Sequence, residues 1–133
     1  MPWRKLWLCL PPMLLALVDH ATTLWFQPPE YWAGDYSAAQ EANPHAAWLM
    51  QRHPLANEFG FAAYLALVCV LTLKLPRRFA LVLSLGVTMG HLWGTTTWLP
   101  ERMPEDYWVS IVLCAWAAVI VVLSWSAAGI LNR

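Results

Sequence analysis

Four long apolar runs separated by short polar or charged interruptions set the hydrophobic pattern of the chain. They fall near residues 5–26, 56–75, 79–99 and 107–131. Each has the roughly 20 residues that a helix needs to cross a hydrocarbon core at about 1.5 Å per residue. Lys74-Leu75-Pro76-Arg77-Arg78 divides the second run from the third, and the acidic stretch 101–106 divides the third from the fourth. The pattern predicts an all-α protein, an integral membrane four-helix bundle forming a single membrane domain over residues 1–133. Pro11 and Pro12 lie inside the first run, where they are expected to kink the helix and where neighbouring helices can meet the backbone groups they free.

Residues 27–55 form the longest piece outside these runs and carry a pattern of their own. Asn43-Pro44 has the form of a helix N-cap followed by proline at the first helical position, where a missing N–H costs nothing. The stretch "NPHAAWLMQRH" then predicts two to three turns of helix before Pro54, apolar enough to lie at the membrane interface. Before it, "QPPEYWAGDYSAAQEA" is too aromatic for a solvated loop and is expected to pack as a cap.

Composition strengthens the membrane assignment: 59% of the residues are hydrophobic, 12% are charged, and 10 of 133 are tryptophan. The charges also give an orientation. Arg4, Lys5, Lys74, Arg77, Arg78 and Arg133 fall on one side. Glu30, Asp35, Glu41, Glu58, Glu101, Glu105 and Asp106 fall on the other, with Arg52 and Arg102. Because Lys and Arg are retained inside, both termini are expected in the cytoplasm, with 27–55 and 100–106 outside, in a bacterial inner membrane. Trp3, Trp7 and Trp125 would mark the inner interface; Trp25, Tyr31, Trp32, Trp98, Tyr107 and Trp108 would mark the outer one.

The first run has the basic start of a secretory signal. Its length, its interruption by Asp19 and His20, and the lack of a small-x-small site after a short apolar core favour retention as a span. Cys9, Cys69 and Cys114 have no paired spacing and read as small buried apolar residues. His53 and Glu58 read as solvated interface residues. No phosphate loop, nucleophile elbow or basic patch is present, so nucleic acid is not an expected partner.

The chemistry-bearing residues lie inside the spans. Asp19 is 14 residues, about 21 Å, beyond Lys5, and His91 is 13 residues, about 20 Å, beyond Arg78, so the two reach one level. Helical periodicity puts Thr23 on the face of Asp19, and Ser84, Thr88, Thr95 and Trp98 on the face of His91. An ionised carboxylate at that depth costs about 2.5–3.5 kcal/mol unless paired or wetted. The expected relief for Asp19 is a hydrogen bond to His91 or His20, with Thr23 and Thr95 as further donors and Glu41, Asn43 and His45 closing the cluster from the cap. Gly86, Gly90 and Gly94 recur every four residues, a row expected to let a second helix approach closely.

"DHATTLWF" followed by "EANP" resembles the Asp-x-x-x-Thr and Glu-x-Asn-Pro signature of a family of small bacterial multi-pass membrane proteins of unassigned function. The likeness covers the first span through the second, with a looser echo in "GHLWG". It implies that Asp19, Thr23, Glu41, Asn43 and Pro44 form a common polar core, and it implies no chemistry. The proline- and aromatic-rich insert before Glu41 departs from a simpler form of the pattern.

Three functional readings follow from the cluster of Asp19, His20, Thr23, Glu41, Asn43, His45, His91 and Thr95. The preferred one is a non-enzymatic assembly or partner-binding membrane module, with the bilayer, another membrane protein or a second copy as partner. The alternative is a metal-dependent intramembrane hydrolase, with Asp19, Glu41 and His91 as ligands of a divalent ion such as zinc and His20 or His45 as proton carrier. Against it, no HExxH is present and no two histidines are spaced i, i+4. A further alternative is a proton or ion relay. Haem between His20 and His91 is disfavoured by Asp19 and the crowding glycines.

Overall fold

The computed structural model describes residues 3–102 and 107–130. Among them the chain is helical throughout, with no strand: α1 (Trp3–Trp25), α2 (Pro29–Trp32), a 3-10 turn at Tyr36–Ala38, α3 (Pro44–Arg52), α4 (Pro54–Lys74), α5 (Arg77–Arg102) and α6 (Tyr107–Ala127). The four long helices, α1, α4, α5 and α6, are long and apolar enough to cross a membrane. Their ends lie within a few residues of the apolar runs. One difference is instructive: α5 continues through "TTTWLP" to Arg102. Thr95, Thr96 and Thr97 each return their hydroxyl to a carbonyl of the preceding turn, on His91, Trp93 and Gly94. The acidic turn at Glu105 and Asp106, and Arg133, lie outside the described residues.

A core that includes Leu15, Leu92 and Ala117 is buried, but many polar side chains are buried beside it and many large apolar ones are exposed. Thr23, Gln27, Asn57, Thr72, Ser84, Thr88, Thr95 and Ser124 are buried, whereas Phe59, Val82, Trp93, Val112, Val122 and Leu123 are exposed. Exposed apolar surface of this kind fits helices apolar enough to cross a membrane: at a lipid surface apolar side chains gain nothing by burial, and close packing and hydrogen bonding between helices decide what is inside.

Helix α1 is the hub, packing on α4, α5 and α6, and it makes its most extensive contact with α5. That contact has a hydrogen-bonding logic. Pro12 has no N–H, so the carbonyl of Leu8, four residues earlier, lacks its helical donor. The Ser84 hydroxyl of α5 donates to that oxygen at 2.7 Å. Helix assignment is continuous through Pro11 and Pro12, both fully buried.

Opposite ends of the helices are tied differently. At one end Lys5 Nζ donates to the carbonyls of Leu73 (3.1 Å) and Leu75 (2.8 Å), and Arg77 Nη2 donates to Gly129 O at 2.8 Å. Cations there meet the carbonyl-rich C-termini of α4 and α6. Gly129 can do this because it takes the left-handed conformation (φ 69°) that ends α6.

The other end carries the cap, 26–53. Asn43 caps α3 as its spacing predicts, with Oδ1 accepting from His45 N at 3.0 Å and Pro44 following. His53 caps α4 the same way through Nδ1, accepting from Leu55 N at 3.1 Å. Leu49 of α3 sits directly over Gly60 of α4, where any Cβ would collide with it. Tyr31 is fully buried in the cap between Trp32 and Tyr36, while Trp25, Trp32 and Trp48 remain exposed.

Candidate functional site

Asp19 on α1 and His91 on α5 meet, as their matched depth predicts: His91 Nδ1 lies 2.8 Å from Asp19 Oδ2. Both side chains are about four-fifths buried (18% and 20% exposed). With Nδ1 donating to the carboxyl group, Nε2 is left to accept, and the Tyr64 hydroxyl of α4 lies 3.0 Å from it. The Thr95 hydroxyl, whose one proton goes to His91 O at 2.9 Å, lies 3.4 Å from Asp19 Oδ1 as an alternative acceptor. A carboxyl, an imidazole and a phenol thus form one hydrogen-bonded chain joining three helices.

Gly94 makes this geometry possible. A Cβ there would stand 2.7 and 2.8 Å from the two Asp19 oxygens. Gly86 and Gly90 behave differently and correct the expectation of a glycine packing row: a Cβ at either position meets nothing within 4 Å. These two glycines, with Val87, line an open space beside α5.

That space is a cavity of about 810 Å³. Its polar end holds Asp19, Thr23, Glu41, Asn43 and His91. Tyr64, Trp93, Thr97 and Trp98 flank it, and the glycine row forms its apolar branch. From Gly86 to Gly94 that branch runs about 12 Å along the helix. A second cavity of about 320 Å³ lies across Asp19, Thr23, Glu41, Asn43, Tyr64 and His91, and adds His20, His45, Asn57 and Phe61. The polar cluster lines both, and the larger is an open groove, with Gly86, Gly90, Trp93 and Thr97 exposed.

Glu41 reaches the polar cluster from the cap because Gln27 anchors the chain before it. Gln27 Nε2 donates to Thr23 O (2.9 Å) and Gln40 O (2.7 Å), and its Oε1 accepts from Gln40 N at 2.8 Å. Glu41 Oε1 then accepts from Asn43 N at 2.7 Å. Burial pushes the Glu41 carboxyl above its usual range, an effect the Asn43 N–H opposes and the charge of Asp19 reinforces.

Not every expected member joins. His20 turns away from Asp19 to pair with Glu58 at 3.0 Å, stacked on Phe61 at 3.9 Å between ring centroids. Glu58 is therefore an ion-pair partner, though half exposed, and His53 is a cap. His45 lines only the smaller cavity. The expected ligand set Asp19, Glu41 and His91 is not shown as a metal site. Among the described residues no three His, Cys, Asp or Glu side chains are arranged to hold a metal ion, and both nitrogens of His91 are engaged.

Sequence reasoning passed over Tyr64 and Gln27. Tyr64 had a usable signal: it is ten residues, about 15 Å, before Lys74, and helical side chains lean toward the N-terminus, here the cap. Gln27 had none, since its role depends on the chain returning past it at Gln40. Comparison with known proteins gives no match: no family model, no curated protein and no solved structure matches this chain.

Proposed function

We propose that the chain is a bacterial inner-membrane four-helix bundle, termini inside and cap outside, that acts as a non-enzymatic binding module for a small amphiphile. In this reading the likeness to small multi-pass proteins with the Asp-x-x-x-Thr and Glu-x-Asn-Pro signature reflects a shared polar core at the head of such a site. The observation that carries the proposal is the cavity itself. Its volume is within the 300–1,000 Å³ of small-molecule sites, and it joins a polar end at Asp19, Glu41 and His91 to an apolar branch along Gly86, Val87 and Gly90. Among the described residues no Lys or Arg lines it, so the occupant presents hydrogen-bond donors or a cation to the two carboxyl groups. The surrounding rings of Tyr64, Trp93 and Trp98 suit an ammonium group. An anionic headgroup would meet acids without a compensating cation.

The test is a titration of the protein in nanodiscs with alkylammonium and alkyl sulfate of equal chain length, read by tryptophan fluorescence. Saturable binding of the ammonium, roughly tenfold tighter than the sulfate (about 1.4 kcal/mol) and lost in Gly90→Leu, supports the site. Equal responses to both, or binding unchanged in Gly90→Leu, overturns it.

The hydrogen-bonded chain from Asp19 through His91 to Tyr64 favours a second reading, a proton relay along these three groups. Proteoliposomes loaded with a pH dye test it: relay requires proton flux that Tyr64→Phe abolishes, and flux equal to empty liposomes removes the reading.

A further inference from the structure

The half of the molecule away from the cap contains a cluster that the cavity does not use. Cys9 and Met13 are four residues apart on α1 and therefore share a face. Cys69 and Thr72, three apart on α4, share another. At the contact of the two helices the Cys69 thiol donates to Met13 Sδ at 3.3 Å. The Cys9 thiol lies beside both Cys69 and Thr72. Cys9 and Thr72 are buried (4% and 0% exposed), and Cys69 is partly exposed. None of the four lines either cavity of the polar cluster.

Thr72, beside Cys9, adds a second observation. Its hydroxyl is completely buried yet has no satisfactory hydrogen-bond partner, and an orphaned buried hydroxyl is a cost that native structures normally avoid. A thiolate at Cys9 would give it an acceptor.

We propose that Cys9, Met13 and Cys69 form a site for copper(I), with Thr72 donating a hydrogen bond to the coordinated Cys9 thiolate. Thiolate and thioether ligands select soft ions, copper(I) foremost among them. Zinc wants four ligands drawn from thiolate, imidazole and carboxylate, and no third His, Cys, Asp or Glu completes such a set among the described residues. Binding displaces one thiol proton as a Cu–S bond forms, with no change of oxidation state. A monovalent ion and one thiolate give a neutral unit, which suits apolar surroundings. The second cysteine, Cys69, coordinates as the neutral thiol, which keeps the one-proton balance and the neutral charge. The hydroxyl fixes the ligand in the manner of outer-shell partners at other metal sites.

The experiment offers copper(I) as its coloured bicinchoninate complex, under argon, to the detergent-purified protein. Wild type and Cys114→Ser are expected to take up one equivalent, Cys69→Ser none, and Met13→Leu to bind at least roughly tenfold more weakly, the lower bound for altering even a supporting partner. Folding is checked by size exclusion and circular dichroism. Alkylation of the wild type, read by mass spectrometry, decides the matter if a variant does not fold: copper must protect Cys69 and leave Cys114 reactive. The proposal is overturned by a folded wild type that takes no copper, by uptake that follows Cys114, by unprotected Cys69, or by a Cys9–Cys69 disulfide forming where copper should be retained.

Discussion

At the scale of single residues, the three glycines of α5 share a spacing and differ in what surrounds them. Gly86 and Gly90 face open space, whereas Gly94 faces the Asp19 carboxyl group. Gly90→Ala is therefore expected to stabilise the protein by up to about 1 kcal/mol through helix propensity alone. Gly94→Ala should lose that gain and loosen the Asp19–His91 hydrogen bond. Thermal unfolding of the two variants checks the difference, and equal behaviour would contradict it. Glu41 gives a pH dependence. Its carboxyl is held above the ordinary range, chiefly by burial, so the folded state binds that proton more tightly than the unfolded chain does. Its contribution to stability is fully present below the ordinary carboxylate value and falls as pH rises through the raised folded value. Glu41→Gln should flatten this part of the profile, measured as melting temperature against pH.

At the scale of elements, the apolar runs made the four long helices legible because each is close to a membrane thickness long and bounded by charge. The Asn43-Pro44 cap was legible for a local reason, as its partner is two residues away. The meeting of Asp19 with His91 was readable from depth, since rise per residue is the same on every helix. What stayed hidden depends on which helices touch: Ser84 serving the carbonyl freed by Pro12, Tyr64 completing the chain at His91, and Cys9 and Cys69 drawn together without any sequence spacing. The α1–α5 seam predicts that Ser84→Ala destabilises by about 1–3 kcal/mol, because it leaves the Leu8 carbonyl buried and unpaired. Equilibrium unfolding in mixed micelles measures this. Substituting Thr96, whose hydroxyl only returns to Trp93 of its own helix, should change little.

At the scale of the whole molecule, polar residues share the interior with an apolar core while many large apolar side chains face outward, and the molecule is divided along its length. One half holds the open groove, the smaller cavity and the chain of Asp19, Tyr64 and His91 that lines both, beneath the cap. The other holds the sulfur cluster and the staples of Lys5 and Arg77. Under the proposed function, the apolar branch along Gly86, Val87 and Gly90 would select the chain of an amphiphile, and the polar end, without Lys or Arg among the described residues, would select its head. The decisive measurement is the identification and quantification of molecules retained by the protein extracted directly into native nanodiscs, wild type beside Gly90→Leu. The account predicts one basic or hydroxyl-bearing amphiphile per chain, enriched over the surrounding lipid in the wild type and missing from the folded variant. The same lipid composition around both proteins would contradict it.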